Sequence, residues 1–356
     1  MKCVEIKNRK IGLYHPPFIV AELSANHNGQ LNRALETIDM AKSMGADAIK
    51  LQTYTADTLT IDCDTEEFQI HDGLWNGYSL YQLYEWAHTP FEWHKPIFDH
   101  ARKIGLTCFS TPFDKSAVDL LEDLNNPAYK ISSFEIIDLP LINYVANTGK
   151  PMIISTGMAN LEEINEAVVT AQEAGCKDII LLHCISGYPT PVEQSNLYTI
   201  QDLAKRFDVV SGLSDHTMGT AVSVASVALG ASVIEKHVTL NRKDRGPDSE
   251  FSLEPEELKQ LCEDTNKAWL ALGKAEYELK PAEKENIKFR KSIYVVNEIK
   301  AGEKFNEHNI KCIRPGFGLP PKYFDEVIGK VAKVDIKKGV ALKHEMICPN
   351  IKEVIK

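Results

Sequence analysis

His216 follows Ser214 by two residues and His237 follows Glu235 by two, so in extended strands each imidazole shares a face with the polar side chain before it. Two neutral imidazoles from neighbouring strands, with a carboxylate such as Glu22 nearby and open positions, suit a catalytic Mn²⁺, Mg²⁺ or Zn²⁺ that polarises an oxygen. Two hydrogen-bonded histidines in a polar cleft fit the same spacing. Lys50 and Lys130 each interrupt an apolar run, where a charge is costly unless it meets an anion, which makes both candidates to hold a phosphate or carboxylate. Ser155-Thr156-Gly157-Met158 closes another apolar run with small donors able to face phosphate oxygens. Glu135 and Asp248 fall in loops and are candidates for proton transfer, or else solvated acids.

These residues need a scaffold that gathers strand ends. From Phe18 to Leu272 short β-branched runs alternate with helix-period segments, the pattern of parallel βα units. The runs are 18–23, 47–53, 106–111, 128–132, 151–155, 178–183, 209–214 and 232–237. Eight of them predict a (β/α)₈ TIM barrel, whose chemistry sits at the C-terminal ends of the strands. Glu22, Lys50 with Gln52, Thr111, Lys130, Ser155, His183, Ser214 with His216, and His237 all fall at such ends and are expected in one bowl, whereas alternation turns Lys236 toward the helices.

Helices are expected over 32–44, 161–174 and 254–272, several ending in Gly. The stretch 54–90, rich in Trp and Tyr, is too long for an ordinary βα loop and reads as a folded excursion over the mouth, a lid or part of a pocket. After Gly273 the composition changes. The expected organisation is a barrel domain over 1–273, a linker over 274–289 and a small β-rich domain over 290–356, with strands at 292–296, 310–315 and 331–336.

Fifty acidic against 40 basic residues give a formal charge of −10, the wrong sign for nucleic acid or an anionic membrane surface. The N-terminus lacks a signal-like apolar stretch, and the eight cysteines show no metal-binding spacing, so reduced thiols and a cytoplasmic location are expected. The chain carries no G-x-G-x-x-G, P-loop or G-x-S-x-G motif, which removes support for dinucleotide, nucleotide and hydrolase chemistry. A lysine barrel could also form a Schiff base with a keto acid, the rival chemistry for Lys50 or Lys130.

AELSANHNG (21–29), AIKLQT (48–53), FSTPFD (109–114), KISSFE (130–135), STGM (155–158), LLHCISGYP (181–189), GLSDHT (212–217), EKHVTL (235–240) and GPDSEFSL (246–253), in this order, resemble the sialic acid synthase family. The tail, with IRPGFGL (313–319), is similar to that family's antifreeze-like SAF domain. The resemblance implies condensation of phosphoenolpyruvate with an N-acetylated amino sugar as its open aldehyde, giving a nonulosonic acid and phosphate. It implies that His216 and His237 hold a divalent metal, Mn²⁺ first with Mg²⁺ or Co²⁺ as alternatives, with Glu22 beside it. Lys50, Thr111, Lys130, Ser133, Ser155, Ser186 and Ser214 would bind phosphoenolpyruvate; Glu135 is the candidate for the proton transfers, with Asp248 near the sugar hydroxyls and a metal-bound water as an alternative carrier. Gln52, Tyr188, Asp248 and Arg314 would face the sugar, Arg314 from the SAF domain of the other subunit of a tail-swapped homodimer. ELSANHNG and the aromatic run 74–94 look like the pseudaminic acid branch, whose sugar is a 2,4-diacetamido-2,4,6-trideoxy-L-altrose; the N-acetylneuraminate and legionaminate branches are the alternatives.

Overall fold

The computed structural model describes residues 2–349, which fall into two compact units divided between Gly273 and Lys274. The first unit opens with an antiparallel hairpin, β1 (Val4–Ile6) and β2 (Arg9–Ile11). Eight parallel strands then close into a barrel in sequence order: β3 (Phe18–Glu22), β4 (Ala48–Thr53), β5 (Thr107–Pro112), β6 (Tyr129–Ile131), β7 (Met152–Ser155), β8 (Ile179–Cys184), β9 (Val210–Ser214) and β10 (Val233–His237). Strand β10 returns to pair with β3, placing His237 opposite Glu22. Each expected run becomes a strand, with ends within one residue of the expectation.

A helix follows every barrel strand, and local chemistry starts and stops it. Asp114 accepts hydrogen bonds from the backbone N–H of Ser116 and Ala117 to open the helix Lys115–Asp123. Asn160 and Glu163 form a reciprocal capping box at the start of Leu161–Glu173. Gly45, at φ 99°, ends Leu31–Met44 in the left-handed region that glycine enters at no cost.

Strand alternation divides the core into two. Outward residues such as Ile19, Ile49, Ile154 and Leu181 pack under the helices. Inward residues Phe18, Val20, Ala48, Phe109, Ala128, Ile153, Ile180, Leu182, Val210 and Val233 fill the barrel, and Val4, Ile6 and Ile11 of the hairpin join that cluster. The hairpin thereby seals one end of the barrel with three buried aliphatic side chains, a role that three-residue strands are too short to announce in sequence. Gly212 is required by space, because a Cβ there would lie 2.3 Å from the Val233 carbonyl oxygen.

The stretch between β4 and the helix Phe91–Lys103 folds on its own into helices Ala56–Leu59 and Leu80–Ala87 and two single 3₁₀ turns, one of them Gly73–Trp75. In the second unit, β11 (Ser292–Val295) pairs antiparallel with β12 (Ile310–Ile313) around Ile293, Phe305, Ile310, Leu319 and Leu342. The third strand expected there, 331–336, does not form. Val331, Ala332 and Ile336 make single bridges, to Lys304, Ile347 and Ile299, and only Ala332 and Ile336 reach the small core. The run 274–289, expected as a linker, contains a 3₁₀ helix, Pro281–Phe289, and Lys288 accepts a 2.9 Å hydrogen bond from the N–H of Gly316. No helix among the described residues is long and apolar enough to cross a membrane.

Candidate active site

The inward rows change character along the barrel: Phe18-Val20 leads to Glu22, Ala48 to Lys50 and Gln52, Phe109 to Thr111, Ala128 to Lys130, Ile153 to Ser155, and Val233 to Glu235 and His237. Apolar layers fill the sealed end and polar layers fill the C-terminal end, where barrel enzymes work.

At the centre lies a buried charge network. Lys50 Nζ is 2.7 Å from Glu22 Oε2, 3.6 Å from Glu235 Oε1 and 3.2 Å from Thr111 Oγ1. Lys130 Nζ donates to both Glu235 oxygens, at 3.1 and 3.2 Å, and Ser214 Oγ donates to Glu235 at 3.3 Å. Two cations against two carboxylates make the desolvation tolerable, but not evenly. Burial opposes charge on Lys50, yet Glu22 and Glu235 outweigh it and raise its pKa. Glu235 is likewise buried, and Lys130 with Lys50 hold its pKa down. Burial prevails at the other two members, raising Glu22 and lowering Lys130, so these two hold their charges least firmly, and an incoming anion favours the protonated form of each.

Beside the lysines, hydroxyls form a cradle. Ser133 Oγ accepts a hydrogen bond from the Gly157 N–H at 3.1 Å, and Ser155 Oγ is buried with no partner. A Cβ on Gly157 would lie 2.3 Å from Ser186 Oγ and 2.7 Å from Ser133 Oγ, so glycine keeps the two serines converged. Donors of this kind next to Lys50 and Lys130 suit a phosphate.

His216 and His237 stand with ring centroids 5.3 Å apart. His216 Nδ1 lies 2.9 Å from the Ile185 carbonyl oxygen, which makes it the N–H and leaves Nε2 as the lone-pair nitrogen. Burial works against a proton on His216, but the Cys184 sulfur and the Ile185 carbonyl raise its pKa overall. Burial, followed by the charges of His216, Lys50 and Lys130, keeps His237 well below the ordinary histidine value. Its Nδ1 is buried without a hydrogen-bond partner, 3.7 Å from Asp248 Oδ2. A neutral imidazole with an orphaned nitrogen fits a divalent metal ion. Among the described residues no three His, Cys, Asp or Glu side chains form a ready cage, so such an ion would keep positions open for water and substrate.

Around the histidines, Gln52 Nε2 donates to Glu22 Oε1 at 2.9 Å and to Ser24 Oγ at 3.0 Å, and Ser24 Oγ donates to Asp248. Asp248 and Glu135 are both pushed upward by burial; Glu135 accepts from Ser132 Oγ. Tyr188 lies 4.5 Å from the His216 ring, 5.3 Å from Phe251 and 5.7 Å from Trp75. The Trp75 Nε1–H donates to the Pro247 carbonyl at 3.0 Å and ties the excursion to the Asp248 loop. Beyond that bond a cavity of about 380 Å³ is lined by Leu74, Trp75, Trp86, Arg242, Arg245 and Ser249 among others. Arg314 belongs to the second unit, exposed just after β12.

One expected member is not in the bowl. His183 faces the outer side of β8, where its Nε2 lies 2.7 Å from the Ser195 carbonyl oxygen, because Ile180 and Leu182 take the inward positions and Cys184 follows them in. The residues missed as site members are Glu235, Cys184, Ser24 and Phe251. Glu235 was legible, two residues before His237 on the same face; the other three depend on how loops fold back over the mouth.

The model of the NeuB family matches residues 37–277 and that of the SAF domain residues 290–347. The chain is 47% identical to the pseudaminic acid synthase of Campylobacter jejuni, over 92% of this chain and 95% of that one. It is 43% identical to the pseudaminic acid synthase of Helicobacter pylori, over 94% and 99%. The crystal structure of N-acetylneuraminic acid synthetase from Leptospira borgpetersenii, in complex with citrate, superimposes with a TM-score of 0.72 at 33% identity, over 81% of this chain and 96% of that one. The chain therefore belongs to the NeuB family, the sialic acid synthase family that its motifs resemble, and is an enzyme of the transferase class with a SAF domain following its barrel in sequence.

Proposed function

We propose that the protein is a pseudaminic acid synthase: it condenses phosphoenolpyruvate with 2,4-diacetamido-2,4,6-trideoxy-L-altrose and water to give pseudaminic acid and phosphate. The observation that carries this reading is the placement of Lys50 and Lys130 beside the Ser133–Ser155–Ser186 cradle, within one bowl with His216 and His237. Two buried lysines, with the unpartnered Ser155 hydroxyl and the hydroxyls of Ser133 and Ser186, suit the phosphate and carboxylate of phosphoenolpyruvate, with Thr111 and Ser214 completing the set. A divalent ion on the histidines, Mn²⁺ in this proposal, would polarise the sugar aldehyde.

The enol carbon then bonds to the aldehyde carbon, water adds to the carbon that bore the phosphate, and the tetrahedral intermediate loses phosphate by C–O cleavage. Glu135, raised by burial, carries a proton to or from these oxygens, while Asp248 and Glu22 act on the sugar side with Gln52 and Tyr188. Lys130 becomes charged and Glu22 neutral as each takes up a proton when the anion binds.

The branch rests on the two relatives above and on the cavity walled by Leu74, Trp75 and Trp86, which offers apolar surface to a methyl group and a second acetamido group. Around the mouth, Phe134, Ile137, Met158, Val192, Tyr198 and Met218 are exposed on loops that follow β6 to β9, and in the small domain Ile313 and Phe317 are exposed on either side of Arg314. Two apolar surfaces of this kind support a homodimer in which each SAF domain lends Arg314 to its partner's barrel. A cytoplasmic location accords with eight cysteines that are all unpaired.

The test is phosphate release from phosphoenolpyruvate with Mn²⁺, comparing the altrose sugar, its diacetamido mannose-type isomer and N-acetylmannosamine, each with an EDTA control. Release with the altrose sugar alone, abolished by EDTA, is expected. Preferential release with either other sugar would overturn the branch, and release with none would overturn the reaction.

A further inference from the structure

Matching triplets stand side by side at the ends of β9 and β10: Ser214, the last residue of β9, with Asp215 and His216 after it, and Glu235-Lys236-His237, which close β10. In each, the first and third side chains turn into the bowl and the middle one turns out. The two outward residues meet: Lys236 Nζ is 3.1 Å from Asp215 Oδ2, and both side chains are 1% exposed. Lys236 Nζ also donates to the Thr217 carbonyl, so it grips the turn on both sides of His216. Asp215 Oδ1 accepts the Thr217 N–H at 2.8 Å, and Oδ2 accepts the Ser223 hydroxyl at 2.5 Å from the start of the helix Ala221–Ala228. Apart from the Ser223 hydroxyl, the contacts of this node tie the turn that carries His216 to Lys236, the residue preceding His237.

A buried pair of this kind is poor value as stability alone, because two well-packed apolar side chains of similar volume usually serve as well or better. What an ion pair adds is register. A slip of one residue between the two strand ends would turn one imidazole out of the bowl and at the same time leave two charges buried without partners.

We infer that Lys236 and Asp215 are a positioning pair for the reaction, setting the spacing of His216 and His237 from behind the barrel wall. This rests on the reading of the two histidines as metal ligands. The pair touches neither metal nor substrate; it acts through the turn 215–217 and the end of β10, as the groups behind metal ligands do.

The experiment measures Mn²⁺ affinity of the full-length protein, by the electron paramagnetic resonance signal of free Mn²⁺, alongside the melting temperature. The variants are the apolar double replacement Lys236→Met with Asp215→Leu, and the single replacement Asp215→Asn. Asp215→Asn keeps the shape and the acceptor for Thr217 N–H. The double variant is expected to melt close to the parent yet bind Mn²⁺ at least about tenfold more weakly. Asp215→Asn is expected to weaken Mn²⁺ binding several-fold, and it carries the test by itself if the double variant does not fold. Parental affinity in a folded variant would overturn the positioning role while leaving the metal reading intact. Absence of Mn²⁺ binding in the parent protein would remove both.

Discussion

Glu235 holds the ammonium of Lys130 between its two carboxylate oxygens, at 3.1 and 3.2 Å, while its Oε1 also stands 3.6 Å from Lys50. One carboxylate therefore sets the charge of both lysines assigned to phosphoenolpyruvate. Replacing Glu235 by Gln removes that anion and leaves two buried cations to share Glu22. The expected result is a loss of about 3 kcal/mol in stability, seen by urea unfolding, together with a fall in kcat/KM for phosphoenolpyruvate much larger than the change in KM for the sugar.

Binding of phosphoenolpyruvate is expected to draw protons from solution. Lys130 is lowered by burial and Glu22 is raised by it, and an arriving anion favours the protonated form of both. Titration calorimetry in buffers of different ionisation enthalpy should show net uptake that grows as the pH rises toward the lowered Lys130 value. A heat independent of the buffer would contradict this.

His216→Ala and His237→Ala should each lose Mn²⁺ binding and phosphate release, with the fold retained by circular dichroism. If the SAF domains are exchanged, mixing inactive Arg314→Ala with inactive His237→Ala protein after subunit exchange should restore activity. The barrel of the first chain then meets the intact Arg314 of the second. No recovery, with exchange shown independently, would remove the swapped arrangement.

Acid should weaken the first unit through two buried histidines. Burial keeps His27 and His94 at about 4, against an ordinary value of 6.5. The unfolded chain binds protons in that interval and the folded chain does not. Stability is therefore complete above 6.5 and falls as the pH drops toward 4, by an amount on the order of 3 kcal/mol for each imidazole. His94 Nε2 lies 2.8 Å from Thr53 Oγ1 and His27 Nε2 lies 3.3 Å from Thr89 Oγ1, so the loss should appear in hydrogen exchange around the start of the helix Phe91–Lys103. A slope unchanged in His94→Gln would argue against this assignment.

The barrel was legible because β-branched runs such as those around Ile49 and Ile180 are buried on both faces, and their lengths and spacing match βα units. Which polar strand-end residue enters the bowl was legible only where the alternation could be anchored. Lys50, two before Gln52, and His237, two after Glu235, had such an anchor. His183 did not, since Ile179 to Leu182 is apolar throughout and either phase fits. The contacts of Phe251, Trp75 and Ser24 depend on loops from distant parts of the chain meeting over the mouth, and local pattern carries no signal for that. The hairpin Val4–Ile11 was hidden for the same reason, its apolar residues finding their partners only inside the closed barrel.

That hairpin leaves the barrel with one opening. Lys50 lies a layer deeper than Gln52, so a ligand held by the lysines would be covered by one held at Gln52 and Tyr188. In the proposed reaction the phosphoenolpyruvate must then enter before the sugar, and the phosphate must wait behind the newly built nine-carbon acid. The order of arrival and departure, a kinetic property, would thus be imposed by three aliphatic side chains at the far end of the barrel.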